Sequence, residues 1–355
     1  VQARVDALLA RRAFLDARDR RWFHVVTTAA VLLAGGTGTR LYPASRSHRP
    51  KQFLALGDDD RSLLRRTADR AGFADELFVV TRESYADRVR DIVPEASVLV
   101  EPAGRDTGPA LAYAASDIRE RYPDAVLLCL PSDHVVGDGF RATAETAADV
   151  AARTDALVTL GVEPDRPATG YGYIQPGDDR GDHYEVAQFR EKPDEETAAE
   201  LLDAGCFWNA GMFAWAPDAF LAAARDGPLE PLVDALETGG DVDGAFEETE
   251  PVSVDYAVLE RAADVRVVPA DFEWDDVGAW DALLRLADGE NATLGDSLAV
   301  DASGNVLASD DKHVSVVGAD DLVVAAFDDR VLVVPTDEAQ RVREVVAELR
   351  EDELF

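Results

Sequence analysis

From residue 29 onward, short runs that are almost wholly apolar alternate with segments of helical periodicity, and no other feature restricts the fold as tightly. The runs cover 29–34 (AAVLLA), 77–81, 97–100, 125–130 (AVLLCL) and 156–160, with helices predicted near 62–72, 108–120 and 139–152. A strand without polar residues on either face must be covered on both. That predicts an α/β fold with a mainly parallel, Rossmann-like sheet flanked by helices. The first run passes straight into Gly35-Gly36-Thr37-Gly38-Thr39-Arg40. At the carboxyl edge of a parallel sheet, such a glycine turn lets backbone N–H groups approach an anion closely. It matches neither the GxGxxG dinucleotide fingerprint nor the GxxxxGK[ST] phosphate loop, which argues against a hydride-transfer enzyme.

The order becomes less regular after about residue 165: a strand at 184–190, a helix at 194–204, a strand then helix over 207–225, and a helix at 253–260 with Ser253 as its predicted N-cap. From 290 the runs shorten to 313–317, 321–326 and 331–334, divided by SGN, GADD and DDR turns, which predicts a small C-terminal β unit. Thr336 is expected to cap a terminal helix with Val342, Val345, Val346 and Leu349 on one face. Three parts follow: a basic extension over 1–28, a catalytic part over 29–289, and the β unit with its final helix over 290–355. The β unit is expected to pack on the catalytic part; pairing of two copies into a homodimer is the other use open to it.

Seventy acidic residues against 35 basic ones give a formal charge of −35, spread along the whole chain. Such a surface repels nucleic acid and anionic membranes, so neither is expected as a partner. It also repels itself in dilute buffer, and the acidic coat of a halophilic protein is the expectation: activity and stability should rise with KCl. No apolar run approaches the roughly 20 residues of a membrane span. Cys129 and Cys206 sit in apolar surroundings without metal or redox spacing and are expected to be buried free thiols in a reducing, cytoplasmic setting. Only three of the basic residues are lysines, Lys51, Lys192 and Lys312. Where arginine has taken nearly every other cationic position, a surviving lysine can mark a need for a compact point charge.

The stretch LAGGTGTRLYPASRSHRPKQF (33–53) resembles the signature of the sugar nucleotidyltransferases. EPAGRDTGPA (101–110), PSDH (131–134), FREKP (189–193), FWNAGMF (207–213), SVDYAVLE (253–260) and WDDVGAW (274–280) follow in order, and together they resemble the mannose-1-phosphate guanylyltransferase family. The resemblance implies GTP and mannose-1-phosphate as substrates and Mg²⁺ as cofactor. It implies that Leu33, Ala34, Gly35, Gly36, Gly38, Thr39 and Ser132 line the nucleotide, that Arg40 and Lys51 grip the triphosphate, and that Asp133 and Asp276 ligate the metal. Lys192 is implied to bind the sugar phosphate, with Glu191, Asn209, Gly211 and Gly172 meeting the sugar. Lys312 lies outside every motif and is expected on the surface.

Guanine offers two donors on its Watson–Crick edge, which one carboxylate can accept together; Glu101, at the end of run 97–100, is the candidate. Asp106 stands where the family usually has asparagine, so either an amide contact is lost or the position is structural. Two alternatives remain from sequence: a nucleotidyltransferase for another sugar phosphate, such as glucose or fucose with UTP or dTTP, and a non-catalytic nucleotide-sugar-binding regulator. The presence of Arg40, Lys51, Asp133, Lys192 and Asp276 argues against the second.

Overall fold

The computed structural model describes residues 26–56, 60–287, 289–352 and 355, so most of the basic extension lies outside the described residues. Strands β1 (Thr28–Leu33), β2 (Glu76–Arg82), β3 (Ser97–Glu101) and β4 (Val126–Pro131) pair in parallel in the spatial order β3-β2-β1-β4. Side chains alternate across this sheet. Leu32, Val79 and Leu128 enter one apolar cluster with Phe140 and Val150 of the helix Phe140–Thr154. Val31, Phe78 and Leu127 enter another with Leu111 and Ile118 of the helix Thr107–Arg121. Coverage of both faces is what the apolar runs require, and Cys129 and Cys206 are free and buried within it.

The short β5 (Val135–Val136) is followed by β6 (Leu157–Val162), β7 (Tyr173–Asp179), β8 (Tyr184–Arg190), β9 (Phe207–Trp215) and β10 (Val265–Pro269). The complete sheet has nine strands in the order β3-β2-β1-β4-β9-β6-β10-β8-β7. Only its first half is parallel throughout. β9 runs antiparallel to β4, β6 and β7, and β8 antiparallel to β10 and β7, so the whole sheet is mixed. The departure has a simple cause: an apolar run reports burial on two faces and carries no information about strand direction, and β9 is almost entirely buried.

β11 (Trp274–Asp275) returns to pair antiparallel with β5, bringing the segment after Asp275 beside the segment after β4. Beyond it, β12 (Ala292–Leu294), β14 (Val306–Ser309) and β16 (Leu322–Phe327) stack in parallel, β13 (Ser297–Val300) pairs in parallel with β15 (Val314–Val317), and β17 (Arg330–Pro335) closes the first ladder antiparallel. Asn305 is wholly buried at a turn of this unit, its amide N–H groups donating to Asn291 Oδ1 and to the carbonyls of Ser303 and Ala319. The unit has a small cluster of its own, Leu307, Val314, Val316 and Ala326, but its larger apolar face is shared: Leu41, Tyr42, Leu54 and Trp280 join one cluster with Val306, Phe327, Val342 and Val346. Across that seam Trp280 Nε1–H donates to the carbonyl of Tyr42 (2.9 Å).

Two predicted caps do not form. The Ser253 hydroxyl is buried without a partner, and Thr107 Oγ1 accepts the Val254 N–H (2.9 Å) at the start of a π-helical turn, Asp255–Leu259. Thr336 caps nothing; the chain makes a 3₁₀ segment, Thr336–Arg341, before the last helix, Val342–Glu351. Val342 and Val346 are buried there while Val345 is exposed, because that helix lays a narrower stripe on the seam than the sequence pattern suggests. Among the described residues no helix is long and apolar enough to cross a membrane.

Candidate active site

The glycine turn after β1 is fixed from beneath. Gln52, buried, donates its amide to the carbonyls of Ala34 (2.9 Å) and Gly36 (3.0 Å), and Thr81 Oγ1 donates to Ala34 as well. Ser132, one residue past β4, donates its hydroxyl to Leu33 (2.6 Å), and Ser45 donates to Gly38 (2.6 Å). Gly38 sits at φ 60, and a Cβ there would come within 2.3 Å of Lys51 Cβ, so no side chain fits. The turn thus presses the lysine into place.

Lys51 is buried, and its ammonium donates to Asp133 Oδ2 (3.0 Å) and to the Asp276 carbonyl (2.5 Å). Burial raises the Asp133 carboxyl, but the charges of Lys51 and His134 and the Lys51 hydrogen bond outweigh it and hold Asp133 below its usual range. Asp276 Oδ1 accepts Tyr171 OH (2.9 Å) and the Gly278 N–H (3.1 Å). Between them Val277 takes φ 46, with its N–H on Asp275 Oδ1 (2.7 Å). Burial pushes the His134 imidazole below its usual value against the pull of Asp133, and its Nδ1 accepts Trp274 Nε1–H (3.2 Å).

Asp133 through its carboxylate and Asp276 through its backbone carbonyl therefore meet a single ammonium, and both side chains carry hard oxygen donors. Among the described residues no group of three or more His, Cys, Asp or Glu forms a metal cage. One or two carboxylates completed by water and phosphate oxygens is how Mg²⁺ is bound, and this pair fits that pattern.

Two cavities open on either side. One, of about 570 Å³, is lined by Leu33, Gly35, Gly36, Ser132, Glu101 and Asp133, among others. The Glu101 side chain is 4% exposed, lies against Gly35, and has Arg82 Nε at 3.7 Å. Burial pushes its carboxyl up to about 7, Arg82 opposing and Asp106 adding to the rise. Asp106 occupies φ 72 and accepts the Thr107 N–H (2.7 Å) as N-cap of the helix Thr107–Arg121, so the position has a structural task.

The other cavity, of about 660 Å³, is lined by five cations, Arg40, Arg166, Lys192, Arg285 and Arg343, against two acids, Asp276 and Asp281. Lys192 stands at φ 44 with its ammonium on Glu191; burial would lower it, but the Glu191 contact and the Asp255 charge raise it. The Glu191 carboxylate lies against Gly172, where a Cβ would come within 2.3 Å of Oε2, and that oxygen is buried without a partner. Asn209 accepts Thr159 Oγ1 (3.0 Å) and the Gly211 N–H (3.1 Å), and donates to Asp255 Oδ1 (2.7 Å). Burial and the Glu191 charge push Asp255 up to about 6, with Asn209 and Lys192 opposing.

Residues 29–293 match the model of the nucleotidyl transferase family. The chain belongs to this family. Residues 295–349 match a second model, the mannoseP isomerase/GMP-like beta-helix domain. Within the nucleotidyl transferases, the chain is 37% identical over 354 residues to a mannose-1-phosphate guanylyltransferase of Escherichia coli, covering 91% of this chain and 74% of that protein. It is 39% identical over 345 residues to the xanthan biosynthesis protein XanB of Xanthomonas campestris, covering 90% of this chain and 73% of XanB. A solved structure from Thermus thermophilus, described as a mannose-1-phosphate geranyltransferase, superposes with a TM-score of 0.86 at 36% identity, covering 92% of this chain and 100% of that one.

In this nucleotidyl transferase, most of the expected residues divide between the two cavities, while Gly172 and Glu191, packed against each other, line neither. Gly35, Gly36, Leu33, Ser132, Glu101, Asp133 and Gly211 line the first; Thr39, Arg40, Lys192 and Asp276 line the second; Lys51 lies between. Ala34, Gly38 and Asn209 act from behind through the hydrogen bonds and contacts given above. Lys312 pairs with Asp310 and Asp311, away from both cavities. Sequence reasoning missed Gln52, Tyr171, Asp255, Arg166, Arg285 and Arg343. Gln52 and Asp255 lie inside the quoted motifs PKQF and SVDYAVLE, so a signal for them was present. The three arginines carry none, since arginine is the ordinary cation of this chain.

Proposed function

We propose that this nucleotidyl transferase joins GTP and mannose-1-phosphate into GDP-mannose with release of pyrophosphate. The observation that carries the proposal is Lys51, held at the junction of a carboxylate-bearing cavity and a cation-lined one. Relatives named mannose-1-phosphate guanylyltransferase, 36 and 37% identical, support the substrate pair.

Guanosine enters the first cavity, where Glu101 accepts the base's N1–H and amino group, and the glycine turn offers backbone N–H groups to the phosphates. Mannose-1-phosphate is held by Lys192, with Glu191 and the Gly172 backbone against the sugar and the Gly211 backbone reaching it from the first cavity. Its phosphate oxygen is already anionic, so no general base is required. The task of the site is to bring two mutually repelling anions into line, and Lys51 and Arg40 supply fixed positive charge where it accumulates. Asp133 and Asp276 would hold Mg²⁺, which when bound supplies further positive charge to the phosphates.

The test is pyrophosphate release across a panel of nucleoside triphosphates and sugar 1-phosphates. GTP with mannose-1-phosphate is expected to give the highest kcat/KM. A preference for UTP or dTTP with glucose-1-phosphate overturns the proposal.

A further inference from the structure

The cation-lined cavity is closed on one side by the C-terminal unit. Gln340, in the 3₁₀ segment, and Arg343, in the first turn of the last helix, both line it. Arg40 Nη1 donates to Gln340 Oε1 (3.0 Å), which joins the glycine turn of the catalytic part to the C-terminal unit directly. The seam beneath is apolar and shared, with Val342 and Val346 packed in the same cluster as Leu41 and Trp280, so the helix presents Arg343 from a fixed base.

The five cations of this cavity are not equivalent. Arg285 is held by Asp275 (2.9 Å) and Asp281 (2.7 Å). Arg166 pairs with Asp165 (2.7 Å) and lies over the Trp208 ring, and Lys192 pairs with Glu191. Among the described residues, Arg40 has only the neutral amide of Gln340 as a side-chain partner, and Arg343 forms no hydrogen bond or ion pair. In a chain with 70 acidic residues against 35 basic ones, two guanidiniums that face one cavity and bond no carboxylate, although Arg343 lies in the field of its neighbour Glu344, are poised for an anion from outside.

We infer that Arg343 is a substrate-binding residue: with Arg40 it grips the β- and γ-phosphates of GTP, and Gln340 positions Arg40 for the same task. When the bond between the α-phosphorus and the bridging oxygen breaks, that oxygen keeps the electron pair and the departing pyrophosphate gains negative charge. Two guanidiniums placed there stabilise the charge as it grows. The C-terminal unit is then part of the nucleotide site. This deepens the guanylyltransferase assignment and rests on it for the identity of the nucleotide.

Titration of inorganic pyrophosphate into the full chain, with Mg²⁺ and molar KCl, reads the contact without sugar or base. Arg343→Gln is expected to weaken pyrophosphate binding about tenfold and to raise the KM for GTP by a similar factor, as loss of one charge-assisted phosphate contact does. The KM for mannose-1-phosphate should stay unchanged. Arg343→Lys should restore part of the affinity, which a mere packing defect would not. Gln340→Ala should weaken pyrophosphate binding in the wild-type background and have no further effect on top of Arg40→Ala. Wild-type pyrophosphate affinity in Arg343→Gln, or a raised KM for mannose-1-phosphate alone, overturns the assignment. If the unaltered chain binds pyrophosphate but makes no GDP-mannose, the substrate proposal fails while the titration still decides Arg343.

Discussion

The two cavities that meet at Lys51 differ in almost every respect. The first opens from the parallel half of the sheet and is lined by backbone together with Glu101, Asp106, Asp133 and Asp255; Arg82 is the cation that lines it. The second is assembled from the end of the glycine turn, from loops of the mixed half and from the C-terminal unit, and five cations line it. An overall charge of −35 would repel both substrates, so the molecule sorts its charges locally. Acceptors face the side where a base offers N–H groups, and donors face the side where phosphates lie.

The strongest challenge to this division is removal of the group both cavities share. Lys51→Ala should lower kcat by about 10²- to 10³-fold in steady-state assays, the loss typical of an electrostatic group acting on the transition state. A near-normal rate would show that the cavities do not need a common cation.

Next in size is a pair of changes that should separate cleanly. Lys192→Ala is expected to raise the KM for mannose-1-phosphate about tenfold and leave the preference for GTP over UTP intact. Glu101→Gln should reduce that preference about tenfold and leave the KM for mannose-1-phosphate intact. A crossed result from either variant would merge the two cavities into one.

A subtler effect follows from the carboxyl of Glu101, which is pushed up to about 7 by burial. Only the ionised form accepts two donors, so the KM for GTP should fall as pH rises through about 7, and Glu101→Gln should abolish that dependence. Stability runs the other way: a raised carboxyl contributes fully below its ordinary value of 4.5, and the contribution is lost as pH climbs through about 7. The smallest change is expected from Asp106→Asn. It keeps the helix cap and removes a like charge near Glu101, so the pH profile for GTP should shift to lower pH.

How much of this was legible depends on what each element owes to its own residues. β1 to β4 and the glycine turn were readable because two-faced burial leaves an apolar imprint. β7, with the sequence YIQPGDD, carries no such imprint and is a strand because β8 and β9 pair with it. The helix Glu83–Ile92 was missed because its buried face amounts to Tyr85, Ala86 and Val89, and no side chain caps it. Ser253 misled for a related reason: the start of its turn is held from outside, the Val254 N–H donating to Thr107, distant in sequence. The site divides along the same line. Lys51 and Asp133 stand in local motifs, whereas the contributions of Arg343 and Gln340 exist only once the C-terminal helix is seated on the seam.

Val277 carries one last consequence. A branched side chain in the left-handed region costs about 1–3 kcal/mol, and it persists here because the carboxylates on its N-terminal side, Asp275 and Asp276, tether the N–H groups of Val277 and Gly278. The aim of Asp276 is thus settled during folding and need not be found during each catalytic cycle. Incoming phosphates meet an arrangement already wound and latched, and the effort of winding it was spent once, when the chain first closed.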